Sequence, residues 1–360
     1  MFNHILTPLD GSPLASCIFP HVVAFARATG ARITLLRVLE RRSNSLAGRV
    51  NPCDWQIEKR EGQAYLDEMM AQLLQVIDVP VHTALLEGPA AEQIIDYAHR
   101  TEADLLILSS HGEGGLSDWH VSSVAHKVIQ RAGTSVLLVR AWRPEASCEP
   151  ANWGKPCYHR ILVPLDGSQR AECVLPLASV LAEQAEAFSL VHVVTQPELF
   201  QRVTLTSEDQ NVLEQIISRN QQQAEHYFSQ LQGRLMPTPQ THIFTTPNAT
   251  ATLHRFVAEE QIDLVVLSAH GLSGQAQWPF GRLTQSFIDY GETPLLIVQD
   301  MPLGTSSTMQ TAIQSTVYTV RTASVTGPDE RLPGHAYYSP DGDSEAAYLP
   351  RAERNYAYAF

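Results

Sequence analysis

Short apolar runs and longer amphipathic stretches alternate along most of this chain. The first run, Ile5-Leu-Thr-Pro-Leu9, is continuous rather than alternating, as expected of a strand buried on both faces of a parallel sheet. It ends in Asp-Gly-Ser, and the pattern then predicts a helix over 14–29, a strand over 33–38 and a long amphipathic helix over 54–77. A strand over 81–85, a helix over 91–100, a strand over 105–108, a helix over 123–132 and a last strand ending at Val139 complete the series. The series then repeats. Strands are expected at 161–165, 188–193, 242–245, 264–267 and up to Val298, with helices over 171–186, 207–231, 251–260 and 283–290.

The repeat is visible letter by letter. Ile5-Leu-Thr-Pro-Leu-Asp-Gly-Ser12 returns as Ile161-Leu-Val-Pro-Leu-Asp-Gly-Ser168. Ala103-Asp-Leu-Leu-Ile-Leu-Ser-Ser-His-Gly112 returns as Ile262-Asp-Leu-Val-Val-Leu-Ser-Ala-His-Gly271, and Thr134-Ser-Val-Leu-Leu-Val139 as Thr293-Pro-Leu-Leu-Ile-Val298. Three blocks in one order identify an internal duplication. Five strands alternating with four helices in each copy predict an α/β fold: two tandem five-stranded open parallel sheets with helices on both faces. The expected organisation is a first domain over 1–142, a proline-bearing linker over 143–156, a second domain over 157–300 and a tail over 301–360. The tail holds only eight Ile, Leu, Val or Phe, too few to offset chain entropy by burial, so disorder is expected for most of it. Within it, 316–322 alternates like a strand and 355–360 is aromatic, and either could dock on a partner.

A formal net charge of −13 counts against nucleic acid as a partner, because such binding needs basic surface to neutralise phosphates. No run reaches the roughly 18 apolar residues of a membrane helix, and the first residues lack a signal-peptide pattern. A soluble, cytoplasmic protein without membrane partners is the expectation. The five cysteines, Cys17, Cys53, Cys148, Cys157 and Cys173, have no metal or redox spacing and are expected as reduced thiols.

Ligands of such sheets bind beyond the C-terminal strand ends. Two turns lie there in each copy. One is the turn at Asp10 or Asp166, whose carboxylate can accept hydrogen bonds from an adenine amino group or a ribose hydroxyl, or cap the next helix. The other is the Ser-x-His-Gly turn. Its glycine-bearing loop leads to a helix start, where converging N–H groups and the helix dipole suit a phosphate. A plain strand-to-helix loop would look the same. His111 and His270 have no metal-ligand cluster around them and are read as turn residues. No paired carboxylates or positioned lysine point to phosphoryl transfer, so at most a slow ATPase is expected.

Ile-Leu-x-Pro-Leu-Asp-Gly-Ser, Ser-x-His-Gly-x-Gly-Gly-Leu-Ser and the Val-Ala-x-x-Val-Ile-x-x-Ala helix together resemble the universal stress protein family, over about 1–142 and 157–300. The resemblance implies a Rossmann-like, adenine-nucleotide-hydrolase-like fold. It also implies dimerisation through the last strand, here available as a pseudo-dimer between the two halves or as a homodimer. One branch of the family binds ATP, with Mg as a companion ion, through Gly-x2-Gly-x9-Gly-Ser/Thr; another lacks that signature and does not bind ATP. In this chain the signature positions are Ser109, Gly112, Ser122 and Ser123 in the first half, and Ser268, Gly271, Gly281 and Arg282 in the second. Ser109, Ser122 and Ser268 replace glycines, and Arg282 stands where Ser or Thr is expected. On the adenine side the resemblance points to Pro8, Asp10 and Val38, and to Pro164, Asp166 and Val193. The implied function is a tandem adenine-nucleotide-binding or sensing module of a stress response, the alternative being a scaffold that has lost nucleotide binding and acts through protein contacts.

Overall fold

The computed structural model describes residues 2–40, 52–112, 121–141, 149–155, 157–195, 206–272 and 279–300. The glycine loops at 113–120 and 273–278, residue 142 with the linker residues 143–148 and their Cys148, and the whole tail with its 316–322 and 355–360 segments lie outside them.

The first half runs β1 (His4–Leu9), a 3-10 turn (Pro13–Ile18), α1 (Phe19–Thr29), β2 (Arg32–Leu39), α2 (Pro52–Leu73), β3 (Val81–Glu87), α3 (Ala90–Arg100), β4 (Leu105–Ser109), α4 (Ser123–Arg131) and β5 (Ser135–Val139). The second runs β6 (Arg160–Pro164), α5 (Gln169–Glu172), α6 (Leu175–Ala182), β7 (Ala187–Val194), α7 (Ser207–Gln232), β8 (Gln240–Thr245), α8 (Ala249–Glu259), β9 (Leu264–Ser268), α9 (Arg282–Tyr290) and β10 (Leu295–Val298).

The two expected five-stranded parallel sheets are present and join edge to edge into one ten-stranded sheet. Its order is β3-β2-β1-β4-β5-β10-β9-β6-β7-β8. Each half is parallel, and the halves meet where β5 and β10 pair antiparallel, Leu137 opposite Leu296. Edge strands carry unpaired N–H and C=O groups, and here each half satisfies the other's. Two helical layers cover the faces. One core packs α1, α2, α6 and α7 through Phe19, Leu66, Ala178 and Phe228; the other packs α3, α4, α8 and α9 through Ile94, Val128, Phe256 and Phe287.

Two expectations need correcting. The helix over 14–29 is broken into a 3-10 turn and α1, and that over 171–186 into α5 and α6. In both copies a proline, Pro20 or Pro176, stands at the start of the second piece, where its missing N–H costs no hydrogen bond. The linker composition also concealed an anchor. Trp153 is 1% exposed and stacks on Phe19 of α1 at 4.2 Å between ring centroids, while Arg27 donates to the Gly154 carbonyl at 2.7 Å. A single buried aromatic leaves no periodicity to read.

Candidate functional site

Beyond the C-terminal ends of β1, β2 and β4 a cleft of about 630 Å³ opens, flanked by α2, α3 and α4. The seven residues singled out in the first half, Pro8, Asp10, Val38, Ser109, Gly112, Ser122 and Ser123, all line it. The parallel register of β1 against β2 sets Pro8 opposite Leu36 and Leu9 opposite Arg37, and so places Asp10 beside the end of β2.

Asp10 does not cap the following turn; Ser12 does, its hydroxyl accepting from the Ala15 N–H. Asp10 Oδ1 instead accepts from the Ser12 N–H at 2.9 Å, across Gly11 at φ 82°. The other carboxylate oxygen lies against Gly112, where an added Cβ would fall 1.8 Å from it. The second half repeats this arrangement. A Cβ on Gly271 would fall 2.2 Å from Asp166 Oδ2, which also accepts from the Leu272 N–H at 2.6 Å. Burial raises the Asp166 carboxyl, but hydrogen bonds from Ser168 and Leu272 outweigh it and hold the group below its ordinary range. Gly112 and Gly271 are therefore glycines because an aspartate carboxylate occupies the space a Cβ would need, and in the second half the Leu272 N–H ties the loop to that carboxylate.

The serines that replace signature glycines have local work. Ser109 Oγ donates to the His111 carbonyl and Ser268 Oγ to the His270 carbonyl, each at 2.6 Å. Ser122 and Gly281 share one backbone conformation, φ −64° and −69°, and their N–H groups go to the Ser110 and Ala269 carbonyls. Ser122 adds an N-cap, its hydroxyl accepting from the Ala125 N–H. What α4 then leaves for a ligand are the amides of Ser123 and Val124, which have no intrahelical acceptor.

In the second half Pro164 ends β6, Val193 lies one residue before the end of β7, Ser268 ends β9 and Arg282 opens α9 behind Gly281. The structure brings Asp166 to Gly271 and Gly281 to the Ala269–Gly271 turn. The halves have also diverged at the histidines. Both are buried in their turns, His111 next to Ser110 Oγ, whereas His270 Nδ1 is 2.8 Å from Asp300 Oδ1. The residue corresponding to Asp300 is Ala141, whose N–H donates to Ser110 Oγ.

Sequence reading missed part of the first cleft's wall: Arg37, Glu40, Trp55, Glu58 and Glu61. The spacing of 55, 58 and 61 on one face of α2 was the available signal. Trp55 donates from Nε1 to Glu87 Oε2 at 3.1 Å, and Lys59 pairs with the same carboxylate, so the start of α2 is tied to the end of β3. Among the described residues no group of three or more His, Cys, Asp or Glu side chains is placed to hold a metal ion, and no helix is long and apolar enough to cross a membrane.

Comparison with known proteins covers both halves. A family model described as universal stress protein family matches residues 1–140 and 158–299. A universal stress protein of Methanocaldococcus jannaschii is 28% identical over 149 residues, 40% of this chain and 86% of that protein. One of Thermus aquaticus is 31% identical over 141 residues, 39% of this chain and all of its own length. A solved universal stress protein of Archaeoglobus fulgidus aligns with 84% of this chain and 100% of its own at a TM-score of 0.54 and 16% identity, a likeness of fold.

Proposed function

The chain belongs to the universal stress protein family through both of its halves, and on that premise we propose that it is a cytoplasmic, tandem adenine-nucleotide-binding module of a stress response, with the first-half cleft as its ligand site. The observation that carries this reading is the convergence of Pro8, Asp10, Val38, Ser109, Gly112, Ser122 and Ser123 on one cleft at the strand ends. Pro8 and Val38 offer apolar surface to a base. Asp10, whose Oδ1 accepts from the Ser12 N–H, brings a carboxylate to the cleft wall, a group that accepts from a ribose hydroxyl. The Ser123 and Val124 amides at the start of α4 suit a phosphate, and a Mg ion would arrive on that phosphate. Pro164, Asp166, Val193, Ser268, Gly271, Gly281 and Arg282 are the corresponding set in the second half.

A second reading is a scaffold that no longer binds nucleotide. It draws on the internal use of the Ser122 amide and the Ser109 hydroxyl. In that case β5 and β10, consumed in pairing with each other, leave a homodimer to form through another face.

Calorimetric titration with AMP and with Mg-ATP separates the two. The nucleotide reading expects binding by the wild type, loss in Asp10→Ala and retention in Asp166→Ala. Absence of heat and of thermal stabilisation at millimolar ligand contradicts it and leaves the scaffold.

A further inference from the structure

The described walls of the first-half cleft carry four carboxylates, Asp10, Glu40, Glu58 and Glu61, against one guanidinium, Arg37. Their placement is built in. Gly62 lets α2 close on the sheet, since a Cβ there would stand 3.2 Å from Leu85 and 3.6 Å from Leu39, and this brings Glu58 and Glu61 over the end of β2. Glu40 accepts from the Ala90 N–H, so a carboxylate already sits on the positive start of α3, a helix that flanks the cleft. Arg37 lies against the Gly11 turn, where an added Cβ would be 3.0 Å from its guanidinium, and over the Tyr65 ring at 5.3 Å. At the phosphate end, the Ser122 amide and the Ser109 hydroxyl serve the turn itself, and Asp10 Oδ2 stands against Gly112.

We infer that this cleft takes an adenine ligand of low charge, a nucleoside or nucleoside monophosphate, in preference to the free triphosphate; the inference rests on the nucleotide reading above. A free triphosphate brings several negative charges among these four carboxylates, and of the described residues at the phosphate end the Ser122 amide and the Ser109 hydroxyl are already used by the turn. A nucleoside loses nothing by that arrangement, and carboxylates can accept hydrogen bonds from an amino group or ribose hydroxyls. Because the charge effect is repulsive, salt has the opposite effect to that at an ordinary phosphate site: screening it improves triphosphate binding.

The test is titration of the full chain with adenosine, AMP and ATP in chelator, at low and raised ionic strength, repeated on the E58Q/E61Q double variant. Adenosine and AMP are expected to bind at least about tenfold more tightly than ATP at low salt, and ATP to tighten as salt rises. The double variant should raise the ratio of ATP to adenosine affinity about three- to tenfold, the scale of two partly solvated charges. ATP binding tightest of the three in chelator, or weakening with salt, overturns this inference alone. No heat from any of the three overturns the nucleotide reading and takes this inference with it.

Discussion

Glycine placement carries much of the account at the scale of single residues. Gly112 and Gly281 both belong to the signature, yet the structure asks different things of them. A methyl on Gly112 would collide with Asp10, whereas one on Gly281 would meet the Ala269 carbonyl at 3.7 Å, an ordinary contact, at φ −69°. Gly112→Ala is therefore expected to cost about 1–3 kcal/mol by overpacking. Gly281→Ser should change stability by no more than a few tenths, because it reproduces the Ser122 cap. Urea unfolding of the two variants checks the contrast. His21 gives a second residue-scale expectation. Burial pushes its pKa down to about 4 from an ordinary 6.5, and its Nδ1 is hydrogen-bonded with Tyr158 Oη at 2.7 Å. The unfolded chain takes up a proton below about pH 6.5 while the folded one does not until about 4, so stability is full above that window and falls through it, by up to about 3 kcal/mol. Unfolding midpoints at pH 7 and pH 5 for wild type and His21→Asn measure this; the variant should lose that part of the pH dependence.

Elements were the most legible level. All ten strands lie where the pattern places them; most are buried on both faces and leave a continuous apolar signal, while β3 and β8, at the sheet edges, are only half-buried. The helices over 14–29 and 171–186 read as single because their apolar pattern runs through the break, and only Pro20 and Pro176 betray the restart. The segment from Glu149 to Lys155 was read as linker, yet Trp153 is buried against Phe19. Trp153→Ala is expected to cost about 3–5 kcal/mol, typical of a truncated core aromatic, as measured by denaturant unfolding. A change near zero would mean that the segment does not dock. For the site, the positions on strand-end turns could be read from the duplicated motifs. The acidic wall left a weaker trace: the spacing of 55, 58 and 61 puts these residues on one face of α2, but that face meets the cleft only because Gly62 seats α2 on the sheet.

As a whole molecule the protein is a duplication closed on itself, and one buried cation fastens the seam. Arg140, just past β5, donates to the Phe287 and Ile288 carbonyls in the last turn of α9, across the two halves. Burial lowers its pKa to about 10, which still leaves it charged at neutral pH. Arg140→Ala strips two buried carbonyls of a charged donor and is expected to cost about 2–4 kcal/mol in thermal or urea unfolding. The seam also explains how the halves could diverge: each keeps the other's edge covered, so the sheet does not depend on a ligand in both crevices. The central claim, that the adenine ligand sits in the first-half cleft, is tested most directly by titrating adenosine into wild type, Val38→Trp and Val193→Trp, which fill corresponding strand ends. One adenosine per chain, abolished by Val38→Trp and unchanged by Val193→Trp, is the expected result; binding that survives Val38→Trp would contradict it.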